Sequence, residues 1–210
     1  VSAGVSAREA LRRLREGNGR FVAGADQPAL SAARRLDLAR AQQPFAIIFG
    51  CSDSRVPAEL VFRQGFGDLF VIRVAGNVVA PSLVGSVEFA ATKFGTRLVV
   101  VLGHTGCGAV TATVEALRQP ASEQSPGVRA IVDRIRPAVE PLLRSAPDDA
   151  TAALVERAVR ANIRITVARL HEESAVLAGL VEGEGLAIVG AEYCLETGVV
   201  DFFDGVPADA

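Results

Sequence analysis

The 210-residue chain has no Trp, one Tyr, two His and three Cys. Three cysteines, an odd number at wide spacing, do not make the framework of a small secreted disulfide scaffold. No stretch of about 18 uninterrupted apolar residues occurs, so no membrane-spanning helix is expected. The N-terminal stretch VSAGVSAREALRRLREGN lacks the basic start and apolar core of a secretory signal. Basic residues are not in excess either: 22 Lys and Arg against 24 Asp and Glu give a formal charge of −2, unlike a typical nucleic-acid binder. Internal repeats, low-complexity linkers, a Walker A loop and the G-x-G-x-x-G dinucleotide fingerprint are all missing. The expectation is one cytoplasmic domain with no nucleic-acid or membrane partner.

What is present is an α/β pattern. Half of the residues are hydrophobic, and at this length a chain buries roughly 70% of its extended surface without disulfide help. Four short apolar runs, PFAIIFG (44–50), DLFVIRVAG (68–76), RLVVVLG (97–103) and GLAIVGAEY (185–193), are rich in β-branched residues and bounded by Gly or Pro. Each predicts a buried strand. Helical spacing appears in AREALRRLREGNGRFVAG through Leu11, Leu14 and Val22, in 81–94 from Pro81 to Phe94, in 127–144, and in 150–178. Alternating strands and helices, with strands apolar on both faces, predict a three-layer open, mostly parallel sheet of four to five strands flanked by helices. An extended N-terminal helix is expected as well. Ligands in such sheets bind beyond the carboxyl ends of strands, where strand order reverses.

Two of the four strands end in chemistry-bearing loops. The first runs into FGCSDSRV, giving Cys51, Asp53 and Arg55; the third runs into GHTGCG, giving His104 and Cys107. If these strands are neighbours, the two loops face each other. Two thiolates and one imidazole suit zinc rather than magnesium or calcium. Three protein ligands leave a fourth position for water, the pattern of a catalytic site. Gly106 and Gly108 should let the chain curl round the metal. H-x-x-C alone and C-x-D-x-R alone are weak signals; their joint placement at two strand ends is a strong one. A metal-free thiolate at Cys51 beside Arg55 is the alternative, and it leaves His104 with Cys107 unexplained. His171, in the polar stretch RLHEES, reads as a surface residue, and Cys194 as packing beside the fourth strand.

CSDSRVPAEL followed by GHTGCGAV resembles the β-class carbonic anhydrases. GDLFVIRVAGN, GSVEFA and AIVGAEYCLETGVV resemble the same family in order and spacing, from about residue 8 to 204. The resemblance implies one Zn²⁺ per chain on Cys51, His104 and Cys107, an Asp53–Arg55 dyad, and reversible hydration of carbon dioxide to bicarbonate through a zinc-bound hydroxide. Phe70, Ala75 and Gly108 fall at substrate-pocket positions. Gln42, nine residues before Cys51, matches a Gln that a second copy contributes to the site. The implied assembly is a homodimer or dimer of dimers, with one domain over 1–210 and a 1–40 helical arm packed on the partner subunit. Hydrolysis of a related small molecule such as carbon disulfide, and a non-catalytic zinc-binding regulator, share these motifs. In one branch of the family Asp leaves its Arg for the zinc and bicarbonate stabilises that closed state through a Trp, an Arg and a Tyr. Here Arg73 and Tyr193 fall on the last two positions but Ile48 stands at the Trp position. Ile donates no hydrogen bond, so an open site with Asp53 on Arg55 is expected.

Overall fold

The computed structural model describes residues 4–26, 31–119, 124–147 and 149–208. In chain order the elements are α1 (Ala7–Val22), α2 (Ala32–Leu38), β1 (Ala46–Gly50), α3 (Ala58–Val61), β2 (Leu69–Arg73), a 3₁₀ turn (Ala75–Asn77), α4 (Pro81–Lys93), β3 (Leu98–His104), α5 (Gly108–Arg118), α6 (Pro126–Ser145), α7 (Thr151–Glu172), α8 (Ala175–Gly183), β4 (Ala187–Tyr193) and β5 (Val200–Asp204). The sheet order is β2-β1-β3-β4-β5; the first four strands run parallel and β5 is antiparallel at the edge. From β1 the chain crosses to β2 on one side and then returns to β3 on the other. The ends of β1 and β3 therefore diverge at a switch point, with Gly50 opposite Leu102.

Side-chain alternation divides the core in two. Ile47 and Phe49 of β1, with Val99 and Val101 of β3, face α4 to α8, meeting Val87, Val110, Ile135, Val159 and Ile163. Ile48, Val100 and Leu102 face α1 and α3, meeting Leu11, Leu14 and Phe62. Apolar residues on both faces are what a covered parallel strand requires. Ser6 caps α1 by accepting a hydrogen bond from Glu9 N–H, and Asn18 ties the helix down. The Asn18 side-chain amide donates to the carbonyls of Val61 and Gly198, while its oxygen accepts from Val200 N–H.

The N-terminal region differs from a single extended helix. Leu11 and Leu14 are fully buried against the chain's own sheet, so the apolar stripe of α1 is covered within this chain. The following α2 buries no residue and leaves Leu36 69% exposed. The helical stretch 150–178 is also two helices. Ser174 breaks it by capping α8, its hydroxyl accepting from Leu177 N–H and donating to Glu88. The fifth strand is short and carries Asp201 and Asp204, so its sequence has little of the apolar character that marks the other four.

Candidate metal centre

Cys51 follows β1, His104 is the last residue of β3, and Cys107 is the N-cap of α5. All three are buried, and their potential donor atoms lie within 4.8 Å of one another. The two Sγ atoms are 4.0 Å apart; thiolates on a tetrahedral zinc at about 2.3 Å stand roughly 3.8 Å from each other. His104 Nδ1 lies 3.0 Å from the Thr105 carbonyl, which fixes that nitrogen as the N–H donor. Nε2 is then the basic nitrogen, and it is buried with no hydrogen-bond partner. A buried, unpaired imidazole nitrogen beside two thiols is costly unless something binds it, and these donors fit a zinc ion. The two thiols share one hydrogen bond, and this contact with Cys107 pulls the Cys51 thiol below its ordinary range. The same contact pushes the Cys107 thiol up.

Asp53 and Arg55 meet as a bidentate pair. Arg55 Nε donates to Oδ1 at 2.9 Å and Nη2 to Oδ2 at 2.7 Å, while the Arg55 backbone N–H also reaches Oδ1 at 3.0 Å. The guanidinium holds Asp53 well below the usual carboxylate range. Asp53 Oδ2 is 3.7 Å from His104 Nε2, so the carboxylate borders the donor set. Ala75 lies in the 3₁₀ turn after β2, and the next residue, Gly76, donates its N–H to Cys51 Sγ at 3.3 Å.

Other sequence-derived positions land differently. Gly106 has φ +63°, as the curl between His104 and Cys107 needs. Gly108 does not: it is the exposed first residue of α5, in ordinary helical backbone. Phe70 pairs in register with Ile47, near the amino end of β1, and packs on Phe89 and Phe94 at ring-centroid distances of 6.3 and 6.0 Å. Gln42 is exposed before β1, beside Phe66 and Phe94. Both residues are at the opposite end of the strands from this chain's own Cys51. Arg73, which the family resemblance put in a bicarbonate site, donates to the carbonyls of Cys51 at 3.0 Å and Asp53 at 2.6 Å. It pins the CSD loop. Ile48 and Tyr193 are buried in the core on the α1 side. Sequence reasoning missed the Gly76 and Arg73 contacts; the Gly-Asn pair ending RVAGN was the available turn signal.

Fold and site together define an α/β metalloprotein with a buried Cys-His-Cys donor set at a sheet switch point. Residues 46–200 match the family model described as carbonic anhydrase. Carbonic anhydrase 2 of Mycobacterium tuberculosis is 43% identical over 192 residues, covering 90% of this chain and 89% of that protein. A carbonic anhydrase of Mycolicibacterium smegmatis is 43% identical over 194 residues, with 91% of each chain covered. Among solved structures, the β-carbonic anhydrase CcaA superposes with a TM-score of 0.75 at 29% identity, over 93% of this chain and 95% of that one. CafA of Aspergillus fumigatus gives 0.73 at 25% identity, over 83% and 82%. The chain belongs to the β-carbonic anhydrase family.

Proposed function

We propose that the protein is a zinc-dependent carbonic anhydrase, interconverting carbon dioxide and bicarbonate with one zinc per chain on Cys51, His104 and Cys107. The observation that carries this reading is the convergence of those three donors within 4.8 Å, with Nε2 of His104 left without a hydrogen-bond partner. Zinc in such a site is a Lewis acid that lowers the pKa of a coordinated water toward neutrality; two thiolate ligands make the water less acidic than three imidazoles would.

The chain's own residues supply the rest. Asp53 stays ionised because Arg55 grips both of its oxygens. Its Oδ2 accepts a hydrogen bond from the attacking oxygen and aims that oxygen's lone pair at the substrate carbon. Ala75 and Gly108 present little bulk next to the donors, leaving room for a small apolar molecule. A purely structural metal site needs no ionised, oriented carboxylate, so the dyad favours catalysis.

Gln42 and Phe70 reach an active site only as contributions from a second copy, since each is remote from this chain's Cys51. The active form is therefore a homodimer or a dimer of dimers. Support comes from the exposed apolar residues Leu36, Phe66 and Phe89, at 69%, 67% and 52%, around that end of the sheet. An open groove of about 620 Å³ there is lined by Arg35, Leu38, Gln42, Phe66 and Phe94 among others. The 1–40 arm would dock on the partner through the exposed α2. The cysteines at 51, 107 and 194 are all free, which suits the reducing cytoplasm. Among the described residues no helix is long and apolar enough to cross a membrane.

Metal analysis and stopped-flow hydration of carbon dioxide on one purified sample test the reading. One zinc per chain with hydration is expected, and Cys51→Ala, His104→Ala and Cys107→Ala should each lose both. Full activity at negligible zinc would overturn it. Stoichiometric zinc with turnover of carbon disulfide alone would move the protein to that sibling reaction.

A further inference from the structure

Five residues of α7 form a stripe at four-residue spacing on its buried face: Leu154, Ala158, Asn162, Thr166 and Leu170. Two of the five are polar, and each is only 2% exposed. Their bonds are specific. Asn162 Nδ2 donates to the Gly76 carbonyl at 2.8 Å, and Thr166 Oγ1 donates to the Asn77 carbonyl at 3.0 Å. These carbonyls belong to one 3₁₀ turn, 86 and 89 residues away in sequence.

The turn needs holding. Gly76 and Asn77 have φ of +69° and +43°; the latter is a left-handed conformation that a residue with a Cβ adopts at a cost. The Asn77 side-chain nitrogen is itself buried with no hydrogen-bond partner, so that side chain does not secure the turn. The conformation matters because it aims the Gly76 N–H at Cys51 Sγ, 3.3 Å away. An N–H donor on a thiolate withdraws charge from sulfur and fixes its direction.

We infer that Asn162 and Thr166 are positioning residues of the metal centre, holding the Gly76–Asn77 turn so that its N–H stays on the Cys51 sulfur. The inference rests on Cys51 being a zinc ligand. Partners one step behind a ligand commonly change metal affinity by about 10- to 100-fold when lost. Here they act through a backbone donor, the Gly76 N–H.

The test uses the full-length zinc protein and its cobalt-substituted form. Wild-type zinc content and a sulfur-to-cobalt charge-transfer band establish thiolate ligation separately from the variants. Asn162→Leu should release zinc to a chelator at least about tenfold faster. It should also move the charge-transfer band to longer wavelength, because the sulfur regains electron density. Thr166→Val should shift both in the same sense, by less, and Thr166→Ser, which keeps the hydroxyl, should restore wild-type values. Leu177→Ala, which hollows the core under α8, should lower the melting temperature and leave the band in place. A folded Asn162→Leu protein with the wild-type band and release rate overturns the inference. Should that variant fail to fold, the same result in Thr166→Val overturns it.

Discussion

Substituting Gly76 by Ala tests the link between backbone conformation and the site most directly. An Ala here meets two obstacles. Its φ of +69° lies in the left-handed region, which costs a residue with a Cβ about 1–2 kcal/mol. The added carbon would sit 2.7 Å from Ile135 Cδ1 and 3.1 Å from Ala109 Cβ, and Ile135 is fully buried. Forcing an extra carbon into a packed core costs about 1–3 kcal/mol. The unfolded chain loses freedom when Gly becomes Ala, returning about 0.4–1 kcal/mol. The net destabilisation is about 1–4.5 kcal/mol, a large part of the roughly 5–15 kcal/mol that holds a typical domain. At about 2–4 °C per kcal/mol for this size, the melting temperature should fall by about 2–18 °C. Circular dichroism melts of the zinc-loaded protein measure it. Gly85→Ala is the control. Gly85 is exposed in the interior of α4 with nothing within 4 Å of the added carbon, so Ala should stabilise by about 0.5–1 kcal/mol. A Gly76→Ala protein melting within a degree of wild type would refute the reasoning, as would equal losses in both variants.

Four further outcomes are expected. Asp53→Asn should keep its zinc but lose about 100-fold or more in kcat/KM for carbon dioxide, measured by stopped flow beside metal analysis; wild-type kinetics would remove Asp53 from the reaction. Bicarbonate should inhibit without cooperativity, because Ile48 is buried core and Arg73 is engaged by the Cys51 and Asp53 carbonyls; a sigmoidal inhibition curve would contradict this. Leu36→Glu should weaken self-association in sedimentation velocity, since Leu36 is 69% exposed on α2; an unchanged assembly would exclude α2 from the interface. Hydrogen bonds from Arg12 and Arg13 lower Glu9 from 4.5 to about 2. Its contribution to stability is therefore present above about pH 4.5 and disappears as pH falls toward 2. Melts of Glu9→Gln should lie below wild type at pH 7, with the gap closing in acid; a gap that widens in acid would reverse the sign.

Much of this molecule is legible without coordinates, for identifiable reasons. The runs in β1 and β3 are apolar at every position, so both faces had to be covered and the strands had to be central. Once they are central neighbours, the loops bearing Cys51 and His104 must meet. Asp53 and Arg55 are two residues apart in a tight loop, so their pairing is local. What was hidden depends on other segments or other chains. The family resemblance assigns Gln42 to a second copy's site, but nothing in DLFV says the same of Phe70; the strand register places Phe70 near the amino end of β1, away from this chain's own Cys51. Arg73 looks like an anion ligand by position, but two nearby carbonyls engage its guanidinium. Gly108 looks like a conformational necessity, yet it begins a helix in ordinary backbone.

The α7 stripe is a remote signal that the sequence does contain. Leu154, Ala158 and Leu170 define a face that must be buried, and Asn162 and Thr166 fall on that same face. A helix does not place two polar side chains inside a core without partners, because an unpaired buried amide or hydroxyl costs about 1–3 kcal/mol. A buried Thr hydroxyl can bond back to its own helix, as Thr113 does to the Ala109 carbonyl in α5, but Asn162 and Thr166 both bond outside α7. The turn most in need of such bonds is one with positive φ at both Gly76 and Asn77. Polar residues on an otherwise apolar helical face therefore point to irregular backbone elsewhere in the core, and here that backbone donates to a cysteine of the metal centre.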